Sequence, residues 1–198
     1  LILCAGVPGS CHDLRLILSL NFFGTISIIK GVYDLLEKKG GSCVATVSNA
    51  ISQGDLPMDL ADILNNNNED ELRILDLVSD LDENDLVTGN RLYVASKYAL
   101  ARWVRRHSAS YAANGVRINA VAPGNVNTSM TATMSVDEKT ALNALPIPTK
   151  YGKETLMEPD EVASVINFLI SKAARGVNGI IMFVDGGTDA LLNSEKVY

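Results

Sequence analysis

The 198-residue chain predicts an α/β fold built on one half of a doubly wound parallel sheet. Three observations carry that expectation. Short apolar runs alternate with segments of helical period, each run closes on glycine, proline or a polar loop, and no Pro- or Ser-rich linker divides the chain. Residues 1–4 read as a buried parallel strand that leaves the sheet through Gly6-Val7-Pro8-Gly9. Residues 13–36 keep helical apolar spacing, and Lys38-Lys39-Gly40-Gly41 supplies a cationic last turn and a glycine stop, so one long helix is expected. The β-branched run 43–47 is the next strand. Residues 53–90 turn acidic and polar, with the run Asn65-Asn66-Asn67-Asn68 and then Leu72, Leu75, Val78 and Leu81 at spacings of three. This reads as an insertion holding a short amphipathic helix, whose apolar side is expected to pack over the two long helices. Residues 91–113 are the second long helix, Gly115 breaks it, and 116–122 form a strand ending at Pro123-Gly124. Residues 128–158 have weak periodicity and read as a loop with one helix. Pro159 opens a last helix with Asp160 and Glu161 in its first turn, and 179–184 form a strand closed by Asp185-Gly186-Gly187. Right-handed crossovers then bring the loops after residues 4, 47 and 122 together at the carboxyl ends of the strands.

Composition narrows the function. A net charge of −6 opposes a phosphate backbone, and the densest basic cluster, Arg102, Arg105 and Arg106, lies within a helical pattern, so no nucleic-acid partner is expected. Residues 14–36 are interrupted by Arg15, Asn21 and Lys30, and 162–170 are short and carry Asn167, so no membrane span is expected. Cys4, Cys11 and Cys43 are an odd set without CxxC spacing, which predicts reduced thiols, a cytoplasmic location and no metal site. His12 and His107 read as surface or structural residues. The chain opens on Leu1 with no basic n-region and no starting Met, and reads as a mid-protein beginning rather than a signal peptide.

Tyr93 and Lys97 are four residues apart, hence on one helix face. A cation there stabilises phenolate and is expected to lower the tyrosine pKa, which suits a general acid or base. An amphipathic helix with an exposed lysine fits the same spacing. Ser48, just past a strand, is placed to polarise a carbonyl and equally fits a strand-end turn serine. Asn21 sits within an apolar helix, where its amide needs a partner; a site residue and a satisfied core or kink residue both fit.

Six motifs then occur in order: Leu3-Cys4-Ala5-Gly6, Asn21-Phe22-Phe23-Gly24, Val47-Ser48, Tyr93-x-Ala95-Ser96-Lys97, Pro123-Gly124-Asn125-Val126-x-Thr128 and Val184-Asp185-Gly186-Gly187. Together they resemble the short-chain dehydrogenase/reductases. The short loop between Cys4 and Asn21, the long segment between Ser48 and Tyr93, and the ending Asp185 to Leu191 are most similar to the bacterial 3α-hydroxysteroid dehydrogenase/carbonyl reductase group. The resemblance implies the C-terminal two-thirds of a Rossmann fold, as a single domain over residues 1–198 with the insertion at about 53–90. It implies an enzyme using NAD or NADP to interconvert a secondary alcohol and a ketone, a hydroxysteroid or other bulky carbonyl substrate, under the loop after Thr128. Tyr93 would be general acid/base, Lys97 its pKa partner and a ribose contact, Ser48 the hydrogen-bond partner of the substrate oxygen, and Asn21 the holder of a relay water. Pro123, Gly124, Val126 and Thr128 would line the nicotinamide, and Cys4, Ala5 and Gly6 the adenine-ribose side. A homodimer or homotetramer is the implied assembly. A 3-oxoacyl thioester reductase, and a non-catalytic interaction protein that has lost cofactor binding, are the alternatives.

Two positions depart from the family pattern. Cys4 stands where asparagine is usual, which puts one strand-stabilising contact in doubt. The glycine-rich turn that the family carries between its first strand and helix does not occur, so the N-terminal third that carries the pyrophosphate site is expected to lie outside the chain. On that expectation these 198 residues alone would not bind either dinucleotide with useful affinity.

Overall fold

The computed structural model describes residues 1–66, 71–132, 134, 136, 139–140, 145–150 and 156–196. Its sheet has four parallel strands, β1 (Ile2–Leu3), β2 (Ser42–Thr46), β3 (Arg117–Pro123) and β4 (Ile181–Val184), in the spatial order β1-β2-β3-β4. Strand alternation divides the core. Cys43, Ala45, Ile118, Ala120 and Ala122 face the larger cluster, while Val44 and Val121 face a smaller one on the opposite side.

The long helix expected over 13–36 is broken twice. It comprises α1 (Leu14–Leu18), capped by Asp13, a π-helical turn (Ser19–Gly24), α2 (Thr25–Gly31) and α3 (Tyr33–Glu37). The π turn carries Asn21, whose amide both accepts from Val7 N (2.9 Å) and donates to Val7 O (3.0 Å). The second break is at Val32, whose backbone is not helical (φ −105, ψ 7). Leu14–Gly31 is long and apolar enough to cross a bilayer by length and composition alone, a test that a core helix also passes. Half of it is buried inside the fold, with Leu14, Ile17, Phe22 and Ile29 in the core.

The insertion holds two helices rather than one, α4 (Met58–Asn66) and α5 (Glu71–Leu77), before α6 (Leu86–Ala113), which starts earlier than expected because Asp85 caps Val87 N and Thr88 N. It covers both long helical segments. Ala61 and Leu64 of α4 are buried, Asn65 Nδ2 donates to Ala99 O (3.1 Å) on α6, and Asp62 pairs with Arg102. Ile74 and Val78 join the core beside the π turn, whereas Leu72 is 79% exposed and Leu81 is also exposed. A strict spacing of three drifts around a helix, so 72, 75, 78 and 81 share no face; 74 and 78 do. Asn67 and Asn68 lie outside the described residues. The basic cluster is engaged within the fold, since Arg105 donates to Gly179 O and Arg106 to Asn65 O.

On the other face α8 (Pro159–Ile170), opened by a Glu158/Glu161 capping box, lays Val162, Ile166 and Leu169 over Val44 and Val121. The strand order advances in one direction throughout, yet this crossover passes over the opposite face from the first two. It therefore has the opposite hand, a departure from the expectation that all crossovers are right-handed. Part of the loop 128–158 lies outside the described residues. Its described parts include α7 (Ser129–Ala132) and a 3₁₀ turn (Pro148–Lys150). Met157 holds one end by exchanging backbone hydrogen bonds with Asn125 and Asn127, and Thr188 Oγ1, at the start of α9 (Thr188–Leu192), donates to Pro146 O.

Candidate active site

The carboxyl ends of β2 and β3 and the loop after β1 converge, as parallel strands joined by crossovers require. They form a cleft of about 360 Å³, closed on its far side by Pro159, Val162 and Ile166 of α8. Of the expected site residues, Cys4, Gly6, Ser48, Tyr93, Lys97, Pro123, Gly124, Val126 and Thr128 line it. Ala5 is exposed and does not, and Asn21 lies wholly buried behind it.

The α6 helix places Tyr93 and Lys97 on one face, and the buried Lys97 Nζ lies 5.9 Å from the Tyr93 ring centroid. It donates instead to Thr46 O at 3.1 Å. Burial lowers the lysine from 10.5 to about 8, opposed only by Cys4. Burial also raises the Tyr93 phenol, and the hydrogen bond it shares with Ser48 opposes that rise. The expected lowering of the tyrosine by its lysine neighbour is thus reversed, because an ammonium over the ring plane and bonded elsewhere does not offset the desolvation of the hydroxyl.

Ser48 is a turn serine that also faces the cleft. Its Oγ accepts from Ala50 N (3.2 Å), capping a 3₁₀ turn (Asn49–Ser52), and the same hydroxyl meets Tyr93. Asn21 is a satisfied core residue with a positional consequence: its hold on Val7 draws the loop after β1 across Lys97. Gly6 makes that passage possible, since a Cβ there would lie 2.9 Å from Asn21 Oδ1 and 3.3 Å from Lys97 Nζ. Thr46, which sequence reasoning missed, fixes Lys97 through its carbonyl and donates through Oγ1 to the exposed Cys4 Sγ (3.5 Å). No residue type signals a carbonyl's role, so Thr46 had no signature to find.

A second cleft, about 320 Å³, shares Ser48, Tyr93, Gly124, Met130 and Thr131 with the first. Its remaining wall carries Ser10, Asn49, Gln53, Asn90 and Asn125, with Met134 and Leu145 opposite. These amides were also missed, although Asn49 directly follows Ser48. Its floor is a contact of two backbones: a Cβ on Gly9 would lie 2.7 Å from Asn90 Cα, and one on Gly89 would collide with Gly9 O.

Residues 65–189 match the family model described as enoyl-(acyl carrier protein) reductase. Over 97% of its length the chain is 33% identical to the 3-alpha-hydroxysteroid dehydrogenase/carbonyl reductase of Comamonas testosteroni, spanning 73% of that protein. Over half its length it is 42% identical to the cis-4-hydroxycyclohexanecarboxylate dehydrogenase of Sinomonas cyclohexanicum, and there it spans only 38% of the relative. A solved structure of a 3-alpha-hydroxysteroid dehydrogenase from Pseudomonas sp. B-0831, complexed with NADH, superposes with a TM-score of 0.82 at 30% identity, covering 99% of this chain and 74% of that one.

Proposed function

The chain belongs to the short-chain dehydrogenase/reductase family of oxidoreductases, and we propose that it interconverts a secondary alcohol and a ketone on a hydroxysteroid or similarly bulky substrate. The observation that carries this reading is the meeting of two clefts at one pair of hydroxyls, Ser48 and Tyr93. Two reactants held on either side of a proton-transferring group is the arrangement that such a reaction needs.

The first cleft fits a nicotinamide cofactor, NAD or NADP. Gly6 and Gly124 border it as bare backbone, since a Cβ there would meet Asn21 and Lys97, or Asp185 and Asn49, and the buried Lys97 ammonium supplies a donor beside them. Cys4, Gly6, Lys97, Pro123, Gly124, Val126 and Thr128 would hold it. When bound, the cofactor supplies or accepts the hydride. Everything else falls to the chain's own groups. Ser48 Oγ orients the substrate oxygen, and Tyr93 Oη takes the alcohol proton in oxidation and returns it in reduction. A raised phenol pKa favours the protonated donor, so ketone reduction is the direction for which the side chain is already in the right state. Asn21 acts by positioning the loop that carries Gly6.

A single domain over residues 1–198, including the insertion, supports this site, because α4 and α5 share one core with α6 and the π turn. Three free thiols support a reducing, cytoplasmic setting. A 3-oxoacyl thioester reductase would use the same hydroxyls, and 36% identity over half of the chain to the 3-oxoacyl-[acyl-carrier-protein] reductase FabG of Thermotoga maritima favours that second reading.

The test is Tyr93→Phe in the complete protein. Turnover is expected to fall by about 10² or more, the scale of a lost general acid, with cofactor affinity nearly intact. A variant that turns over at close to the normal rate contradicts the assignment.

A further inference from the structure

The second cleft contains polar side chains that the reaction itself does not use. Asn49 is 5% exposed, lines this cleft, and its side chain makes no hydrogen bond among the described residues. Its amide is open to the cleft, so a polar group entering there gains hydrogen bonds that the protein does not supply from within. Ser10, Gln53 and Asn90 line the same wall, and none of their side chains has a hydrogen-bond partner among the described residues. They come from three elements, the loop after β1, the end of the 3₁₀ turn after β2 and the first turns of α6, so their convergence is a property of the fold. No Lys or Arg is among the described residues lining this cleft, and neither is Asp or Glu.

Resting on the alcohol/ketone reading above, we infer that Asn49, Gln53 and Asn90 form a specificity subsite for a second, uncharged oxygen on the substrate, a hydroxyl or carbonyl remote from the reacting carbon. Amides both donate and accept, so they satisfy either group. A carboxylate or phosphate at that place would be desolvated with no cation among the described lining residues to compensate it, which selects against charged substrates. Met130, Met134 and Leu145 give the apolar body of the same molecule its contact. The substrate class is thus a neutral, apolar carbonyl compound with one further oxygen function.

The experiment measures kcat/KM and, by calorimetry, binding for three ring ketones: cyclohexanone, 4-hydroxycyclohexanone and 4-oxocyclohexanecarboxylate. The hydroxyketone is expected to be preferred over cyclohexanone by about tenfold, the scale of one net hydrogen bond, and the carboxylate to be the poorest of the three. In the Gln53→Leu/Asn90→Leu double variant the hydroxyl preference should fall to near unity, chiefly through KM and the binding constant rather than kcat. A preference unchanged in the double variant, or a carboxylate that binds best, overturns the subsite. Preferential binding of the hydroxyketone, lost in the double variant, without turnover of any ketone would instead uphold the subsite and overturn the assignment of the reaction.

Discussion

The two clefts that meet at Ser48 and Tyr93 are lined in opposite ways. In the first, Lys97 is engaged with Thr46 O, Thr46 with Cys4, and, just behind the wall, Asn21 with both backbone atoms of Val7. In the second, the side chains of Ser10, Asn49, Gln53 and Asn90 have no partner among the described residues. A wall whose groups bond one another keeps its shape before anything enters, and so suits an occupant of fixed structure. Open amides take their geometry from the occupant, and are where specificity can differ between otherwise similar chains.

The largest effect should come at the junction. Ser48→Ala is expected to lower kcat by about 10²-fold, the scale of a lost oxygen-stabilising donor, while ligands still bind in each cleft. Steady-state kinetics beside equilibrium binding separates the two, and a loss confined to cofactor affinity would place Ser48 in the first cleft alone.

Glycine substitutions should then act on one cleft at a time. Gly9→Ala forces a methyl against the Asn90 backbone and is expected to destabilise by about 1–3 kcal/mol and to raise substrate KM. Gly6→Ala meets the ends of Asn21 and Lys97, of which the lysine can yield, so its stability loss should be smaller and its main effect a weaker cofactor Kd. Urea unfolding with both binding constants checks this, and crossed effects would break the comparison.

The last effect concerns Lys97 and pH, and it acts on stability rather than on turnover. Its pKa is about 8 folded, against 10.5 for the free side chain, so the folded protein holds that proton less tightly. The penalty of burying the ammonium is complete below pH 8, declines as pH rises toward 10.5 and vanishes above it. That difference corresponds to about 3 kcal/mol, and losing the Thr46 hydrogen bond offsets about 1 of it. Lys97→Met should therefore be more stable than the parent by about 2 kcal/mol at neutral pH, with the advantage gone at high pH. Urea titrations at the two pH values test the sign; a less stable variant at neutral pH contradicts it.

What was legible in the sequence was what local pattern encodes. The strand cores around Cys43, Ile118 and Met182 follow from apolar runs, and the shared face of Tyr93 and Lys97 follows from helical period. The break at Asn21 does not, because its cause is a hydrogen bond to Val7 across a loop. The sign of the Tyr93 shift was missed for a similar reason: spacing gives proximity, whereas the lysine's partner is a carbonyl on β2. The apolar residues of α4, Ala61 and Leu64, are diluted by Asp and Asn, so the helix is masked by composition. Asn49, Gln53 and Asn90 are unremarkable apart, and only the fold brings them to one wall.

The most direct measurement is a crystal structure of the protein with a nicotinamide cofactor and a ring ketone bound together. The nicotinamide is expected in the first cleft beside Gly6 and Gly124, and the ketone in the second, with its oxygen hydrogen-bonded by both Ser48 Oγ and Tyr93 Oη. A ketone oxygen turned away from that pair, or a nicotinamide lying against Asn49 and Asn90, would contradict the account.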